Sequence, residues 1–231
     1  MWIWVQLAAG SGSRFGGKRP KQFHRLGRRP LLAYAIETFL KAAPGSPVVV
    51  ALPLAHFAYG KALVTRLFPG ASLHFVVGGT TRSASTEAAL HYLRQVGWLS
   101  AENLIAFHDA ARPLVSEALI QRVFAAAEAS GAALPALPVS SSLRRVNGER
   151  SEALPREGIW EVQTPQAFRG SVLKAAWQRL SPTAAPHFTD EGTWIEAAGF
   201  SVQVVAGEPS NFKITHPIDW EVARAWLRRL R

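Results

Sequence analysis

The sequence contains no cysteine among its 231 residues. That absence excludes disulfide scaffolds, thiolate zinc sites and thiol nucleophiles. Aspartate is scarce as well, since only Asp109, Asp190 and Asp219 stand beside 13 glutamates. Any chemistry that requires an aspartate must therefore use one of these three positions.

Long apolar runs are also missing. Residues 1–9 are apolar but fall well short of the ~20 residues of a membrane-spanning helix. They lead into a Gly/Ser loop and not into a signal-peptide cleavage site. The later apolar stretch at residues 48–59 is interrupted by Pro53 and His56. These patterns predict a cytoplasmic protein that has no membrane partner and begins with a β-strand.

The charge is unbalanced toward cations, with 26 Lys and Arg against 16 Asp and Glu, a formal net charge of +10. Such a balance suits polyphosphates, nucleic acids or acidic membranes. A nucleic-acid-binding protein would interleave basic and aromatic residues on one face. Here seven cations fall within residues 14–29, which favours a small anionic ligand and predicts no nucleic-acid partner.

The chain can bury a core, because 48% of its residues are hydrophobic and 18% are charged, which excludes disorder. Strand and helix patterns alternate along it. Strands are predicted at residues 2–7, 48–52, 73–77, 104–108, 132–139 and 200–205, and helices at 31–41, 82–95, 117–130, 170–180, 191–198 and 219–230. This alternation predicts a doubly wound, mostly parallel, Rossmann-like α/β sheet in a single domain spanning residues 1–231.

The stretch at about residues 140–162 breaks this alternation. It is polar and rich in arginine, with Asn147-Gly148 between its two halves, a dipeptide typical of hairpin turns. The pattern predicts a β-arm that projects from the sheet. An ordinary surface excursion is the alternative interpretation.

A glycine-rich loop at residues 8–20 follows the first predicted strand. The glycine spacing and lysine of a Walker A motif are present, but Arg19 stands where a Ser or Thr would hold Mg²⁺, and Pro20 obstructs the helix. The dinucleotide fingerprint also fails, because Gly16 falls one residue late after Gly10 and Gly12. The remaining interpretation is that the loop binds a nucleoside triphosphate without forming a P-loop.

In that interpretation, backbone N–H groups of small residues approach the phosphates closely. These residues are Ala8, Ala9, Gly10 and Gly12. Arg14 and Lys21 then face the phosphoryl group under attack, where charge develops in the transition state. The alternative is a flexible glycine loop with solvated cations.

Six motifs come in order along the chain. They are Leu7-Ala-Ala-Gly-Ser-Gly-Ser-Arg-Phe15 with Pro20-Lys-Gln-Phe23, Gly78-Gly-Thr-Thr-Arg-Ser-Ala-Ser85, His108-Asp-Ala-Ala-Arg-Pro113, Thr164-Pro-Gln166, Thr189-Asp-Glu191 and Asn211-Phe-Lys-Ile-Thr-His-Pro217. Each is weakly specific alone. The ordered series, which spans nearly the whole chain, resembles the 2-C-methyl-D-erythritol 4-phosphate cytidylyltransferase family of the non-mevalonate isoprenoid pathway.

The resemblance implies a nucleotidyltransferase that moves the cytidylyl group of CTP to 2-C-methyl-D-erythritol 4-phosphate and releases pyrophosphate. It implies that Arg14 and Lys21 stabilise the pentacoordinate phosphorus. The residues matched to the cytidine contacts are Ala8, Ala9, Gly10, Gly78, Gly79 and Ser85. Arg82 is either a further contact or a structural cation of its loop.

The resemblance also implies how the acceptor is held. The matched positions are Asp109, Arg112, Ser142, Arg156, Thr164, Thr189 and Lys213. Arg156 and Lys213 match residues that hold the acceptor phosphate, and Asp109 is expected to contact the ribose, the acceptor hydroxyls or Mg²⁺. An Asp109–Arg112 pair that only fixes the loop is the alternative. For Asp190-Glu191, acids at a helix N-terminus are preferred over a catalytic pair.

The implied partners are CTP, a polyol phosphate and a second copy of the chain, because the family's arm carries the equivalent of Arg156 across a homodimer with shared active sites. The implied cofactor is Mg²⁺ or another divalent cation, held mainly by the triphosphate and water. The resemblance defines no metal ligand, and Asp109 is the candidate.

Two departures from the family pattern concern the acceptor. Ser141-Ser142 stands where the family has an Asp-Thr pair, and residues 79–82 lack an acid that relatives carry. Ribitol 5-phosphate is therefore the nearest alternative acceptor.

Overall fold

The computed structural model describes residues 1–10, 19–185 and 188–229. The strands are β1 (Trp2–Leu7), β2 (Arg25–Leu26), β3 (Arg29–Pro30), β4 (Val48–Leu52), β5 (Leu73–Val77), β6 (Leu104–Asp109), β7 (Ala132–Pro138), β8 (Leu143–Asn147), β9 (Arg150–Leu154), β10 (Trp160–Val162), β11 (Gln166–Arg169) and β12 (Gln203–Ala206). The helices are α1 (Leu31–Ala42), α2 (Phe57–Leu67), α3 (Arg82–Gln95), α4 (Glu117–Ser130), α5 (Gly170–Arg179), α6 (Glu191–Ala197) and α7 (Pro217–Arg229). None of the helices in these ranges is both long and apolar enough to cross a membrane.

Eight strands form one mixed sheet in the order β10-β7-β11-β6-β1-β4-β5, and β12 pairs with β7. Strands β6, β1, β4 and β5 are parallel to their neighbours in this run, and β12 is parallel to β7. Strands β10 and β11 run antiparallel to the strands beside them. The prediction of a mostly parallel α/β sheet is confirmed.

Two hydrophobic cores cover the two faces of the sheet. Because successive side chains of a strand point to opposite faces, Trp4 packs with α1 and α4 while Val5 packs with α3, α5 and α6. Both side chains are fully buried. The near-continuous apolar runs of β1 and β4 are thus explained by a sheet that is covered on both sides.

Helix α2 was missing from the sequence-based assignment. The apolar stretch at residues 48–59 divides at Pro53, where β4 has ended and a short 3-10 turn leads into α2. Gly60 allows α2 to pack closely on the sheet, since a Cβ atom there would lie 2.9 Å from Leu52 Cδ1. The predicted strand at 200–205 begins later, at Gln203, and the last helix begins earlier, at Pro217, a residue well suited to a first helical turn.

The hairpin predicted from Asn147-Gly148 is present. Strands β8 and β9 pair antiparallel, and Gly148 has a φ of 62°, a left-handed conformation that glycine adopts without steric cost. Among the described strands these two pair only with each other, and most of their side chains are exposed.

Candidate active site

A cleft of about 270 Å³ opens where β1 and β6 end. Parallel α/β sheets commonly bind ligands at the carboxyl ends of their strands. The predicted site residues that line this cleft are Ala8, Ala9, Gly10, Lys21, Gly79, Ser85, Asp109 and Lys213. Residues separated by up to about 200 positions in the sequence therefore meet in one place.

Gln22 fixes the chain that leaves β1. Its buried side-chain amide donates to the carbonyl oxygens of Ala8 at 2.7 Å and Gly10 at 3.0 Å. Sequence reasoning gave Gln22 no role, although the Pro20–Phe23 motif contains it. The side chain holds residues 8–10 at the wall of the cleft.

Gly78 lets the end of β5 approach this wall. A Cβ atom at Gly78 would lie 2.3 Å from Ala9 Cβ and 3.0 Å from Ser85 Oγ. Gly79 has the same need, because its Cβ would lie 2.3 Å from Ala84 Cβ. Gly78 itself stands behind the lining, and the two glycines allow three segments of backbone to meet at the cleft.

Lys21 reaches the cleft from the 3-10 helix at residues 21–23. Its ammonium donates to the carbonyl oxygen of Ile214 at 2.5 Å. The loop before α7 is shaped in turn by Asp219, whose Oδ2 accepts from the N–H groups of Thr215 and His216, both at 2.7 Å. Burial would raise the pKa of Asp219, but these hydrogen bonds hold the pKa below its usual value.

Asp109 is the single carboxylate among the described residues that line the cleft. Its Oδ1 accepts from Arg82 Nε at 2.9 Å, and its Oδ2 lies 2.7 Å from Lys213 Nζ. Burial would raise the pKa of Asp109, but the charges of Arg82 and Lys213 outweigh burial and hold the pKa well below its usual range. The carboxylate is therefore ionised at neutral pH.

Arg82 binds a second carboxylate on its other side. Its two terminal nitrogens donate to the two oxygens of Glu191 at 2.7 and 2.8 Å, the bidentate geometry that arginine favours. Burial would lower the pKa of Arg82, but Glu191 and Asp109 raise the pKa above its ordinary value. Arg82 also lines the cleft, so it is both a structural cation and part of the lining.

A chain of buried hydrogen bonds through Thr164 and His108 holds the backbone of Asp109. Its N–H donates to Thr164 Oγ1 at 3.1 Å, and that hydroxyl lies 3.1 Å from His108 Nδ1. His108 Nε2 lies 3.0 Å from the carbonyl oxygen of Arg112. Because a carbonyl only accepts, His108 carries its proton on Nε2, and Thr164 then donates to Nδ1.

Acidification is expected to destabilise the protein through His108. Burial lowers the pKa of His108 from 6.5 to about 4, so between these values the unfolded chain binds a proton that the folded chain does not. Stability is then full above pH 6.5 and is lost as the pH falls. We expect the free energy of unfolding to decrease by about 2 kcal/mol between pH 7 and pH 5, measured by urea unfolding at each pH.

The His108→Gln variant should lose most of this dependence of the unfolding free energy on pH. His74, whose pKa is also lowered by burial, is the matched control, and His74→Gln should leave most of the slope in place. An unfolding free energy of the native sequence that is equal at pH 7 and pH 5 would contradict the assignment.

Arg112 takes a different place from its neighbour Asp109. Its guanidinium is buried and donates to the carbonyl oxygens of Asn211 at 2.8 Å and Val162 at 3.2 Å, and burial lowers its pKa. The ion-pair partners of Asp109 within the described residues are Arg82 and Lys213. Arg112 lies beside the cleft, in an adjoining depression that shares Lys213 and Thr215 with it.

The remaining predicted residues lie elsewhere. Arg156, Ser142 and Thr189 are exposed and are absent from the described lining of the cleft. Arg156 Nη1 donates to the carbonyl oxygen of Ser140, at the root of the hairpin. Gly12 and Arg14 lie outside the described residues.

The acidic pair at residues 190–191 divides between two roles. Asp190 Oδ1 accepts from the N–H of Thr193 at 2.7 Å and so caps α6. Glu191 is buried and binds Arg82. The helix-N-terminus interpretation fits Asp190, whereas the partner of Glu191 was not foreseen.

A divalent cation finds few ligands here. Within the described ranges no group of three or more His, Cys, Asp or Glu side chains could hold a metal ion. Both oxygens of Asp109 are already engaged by cations. The described side chains therefore do not form a metal-binding cage.

Residues 3–229 match the IspD family, described as 2-C-methyl-D-erythritol 4-phosphate cytidylyltransferase. The chain is similar to the protein of that name from Rhodopirellula baltica, with 36% identity over 98% of this chain and 95% of the relative. The protein of the same name from Ralstonia nicotianae is 37% identical over 95% of this chain and 89% of its own length. The crystal structure of the Thermus thermophilus enzyme of that name superposes with a TM-score of 0.73 at 35% identity, covering 97% of this chain and 98% of that one.

Proposed function

The chain belongs to the 2-C-methyl-D-erythritol 4-phosphate cytidylyltransferase family, and from that premise we propose that it transfers the cytidylyl group of CTP to 2-C-methyl-D-erythritol 4-phosphate in isoprenoid synthesis. An oxygen of the acceptor phosphate attacks the α-phosphorus of CTP. The bond from that phosphorus to the bridging oxygen breaks, and pyrophosphate leaves with the electron pair. No group on the protein needs to become covalently attached.

One observation carries this proposal beyond the family match. Three cations, Lys21, Arg82 and Lys213, line a cleft at the strand ends whose described lining holds a single carboxylate, Asp109. Asp109 balances Lys213 and Glu191, behind the lining, balances Arg82, so Lys21 leaves this group of side chains with an excess positive charge. Such a site suits two phosphorylated substrates, whose reaction depends mainly on positioning and charge stabilisation.

We assign to Lys21 and Arg14 the stabilisation of the charge that develops on the pentacoordinate phosphorus. Lys21 lines the cleft together with residues 8–10, and this position supports the role assigned to Lys21. Arg14 is assigned from the motif in which both residues stand.

Backbone groups beside the small residues are assigned to CTP. Close packing of Gly78 on Ala9 and Ser85 brings their backbone groups together at the cleft wall, which supports the proposal that these groups contact a pyrimidine and exclude a purine. The residues assigned to the nucleotide are Ala8, Ala9, Gly10, Gly12, Gly78, Gly79 and Ser85. Mg²⁺ or another divalent cation is proposed to arrive on the triphosphate, which with water supplies most of its ligands.

The acceptor is proposed to lie against Lys213 and Asp109. Thr164 contributes by accepting from the backbone N–H of Asp109, and Arg112 contributes by holding the carbonyl oxygen of Asn211, two residues before Lys213. Ser142, Thr189 and Arg156 are proposed to complete the acceptor site in a homodimer, in which Arg156 comes from the second copy. The exposed hairpin beside Arg156, with Val146 and Trp160 also exposed, supports such an interface, and the family match over residues 3–229 supports a single cytoplasmic domain.

Pyrophosphate release tests the proposed function. The purified protein, CTP and Mg²⁺ are incubated with 2-C-methyl-D-erythritol 4-phosphate or with ribitol 5-phosphate, and we expect release with the former. Release with ribitol 5-phosphate alone would change the acceptor but keep the reaction class. Tight oligonucleotide binding at physiological salt with no CTP turnover would favour a nucleic-acid-binding protein instead.

A further inference from the structure

Glu191 is a buried carboxylate placed next to the cleft but outside its lining. Its side chain is 1% exposed, and it belongs to the first turn of α6. The cleft lining described above includes Arg82 and Asp109 but not Glu191. Whatever Glu191 contributes to the reaction must act through another side chain.

A continuous chain of ion pairs links Glu191 to the cleft. Glu191 binds Arg82 through both oxygens, Arg82 Nε binds Asp109 Oδ1, and Asp109 Oδ2 binds Lys213. Thr86 anchors the far end, because its hydroxyl donates to Glu191 Oε1 at 2.6 Å. The two anions and two cations alternate, so the chain is neutral as a whole.

Along this chain of ion pairs, each side chain is oriented by the contact that it makes with the previous one. With both terminal nitrogens bound to Glu191, Arg82 contacts Asp109 through Nε alone. The second carboxylate oxygen of Asp109, Oδ2, is then available to bind Lys213, whose side chain lines the cleft and is 41% exposed. Without the charge of Glu191, the fork of Arg82 would be free to take both oxygens of Asp109, because bidentate binding is its preferred geometry. Lys213 would then lose the partner that aims it.

We propose that Glu191 is a positioning residue for the transfer reaction, which holds Arg82 so that Asp109 directs the ammonium group of Lys213 at the acceptor phosphate. This inference rests on the proposed function. It adds a residue from outside the cleft and predicts which of the two substrates depends on it.

The test compares Michaelis constants for the two substrates. Glu191→Gln keeps the shape of the side chain and removes its charge. We expect the KM for 2-C-methyl-D-erythritol 4-phosphate to rise about 10-fold or more, as misplacement of a substrate-holding group does, while the KM for CTP changes less than about twofold. A purely structural role would lower the active fraction, and hence the apparent kcat, with both KM values unchanged.

Two further variants make the comparison decisive. Thr86→Val removes the anchor of Glu191 but keeps its charge, and it should raise the same KM by a smaller factor even where Glu191→Gln folds poorly. Asp190→Ala removes the side-chain cap of α6 without touching Arg82, and it should leave both KM values unchanged.

The outcomes separate this inference from the proposed function. Turnover of the native protein with unchanged acceptor KM values in Glu191→Gln and Thr86→Val overturns the inference and leaves the function standing. Absence of native turnover with this acceptor overturns both.

Discussion

Replacing Lys21 with alanine should lower kcat by about 10²–10³-fold, the usual cost of removing one preorganised donor from a developing charge. The ammonium group lies at the cleft, where it donates to the carbonyl oxygen of Ile214. Its helix ends in Phe23, which is buried in the core, and that core should survive the substitution. The loss should therefore appear in turnover and not in stability.

Steady-state pyrophosphate release and thermal unfolding measure the two effects together. Lys174 on α5 is an exposed lysine, and Lys174→Ala is the matched control that should keep both values. Turnover of Lys21→Ala within a few-fold of the native rate would refute the catalytic assignment. Arg14→Ala is expected to behave as Lys21→Ala does.

Shared active sites give the same variant a second use. If Arg156 serves the cleft of the other subunit, a mixture of Lys21→Ala and Arg156→Ala subunits forms heterodimers with one intact site. Random exchange should then restore roughly a quarter of the native activity. Mixtures as inactive as their components would contradict the shared site.

Replacing Arg82 with methionine is expected to cost about 3–5 kcal/mol of unfolding free energy, because it leaves the buried charge of Glu191 without its cation. The side chain of Glu191 is 1% exposed, so water cannot replace the lost partner. Asp109 loses one of its two cations in the same step. Urea unfolding at pH 7 measures the loss.

A double variant isolates the pair. Arg82→Met combined with Glu191→Leu should recover much of the loss, since an apolar pair replaces a buried ion pair at little cost. Arg145→Met is the matched control, because Arg145 and Glu152 form an exposed ion pair worth about 1 kcal/mol or less. Additive losses in the double variant would show that the two side chains are not coupled.

Much of this architecture could be predicted because local sequence patterns determine where its strands and helices lie. The apolar runs of β1 and β4 and the glycine after α4 mark those elements directly. The same patterns place Asp109 at a strand end and the glycine-rich loop after β1, and parallel strand ends meet at one edge of a sheet. These facts indicated the edge of the sheet where the candidate site lies, whereas the resemblance to the family supplied most of its residues.

The partners of the charged residues could not be predicted in this way. Asp109 was weighed as a partner of Arg112, three residues away, whereas its ion pairs reach Arg82 and Lys213. Glu191 meets Arg82 across 109 positions in the sequence. Such pairs depend on which helix covers which strand end, and neither periodicity nor residue type at a single position carries that information.

The position of β11 between β6 and β7 sets an order for completing the molecule during synthesis. Strands β1, β4, β5 and β6 all lie within the first 109 residues and pair with one another, so a four-stranded parallel unit is available early on the ribosome. Strand β7 then emerges but pairs with β11, which comes later in the chain. The antiparallel half must wait for that strand, because non-local pairings form only once both partners exist. Asp109 is thus made with the parallel half of the sheet and gains Lys213 only after the strands of the antiparallel half have been made, so the cationic cleft is completed after the sheet.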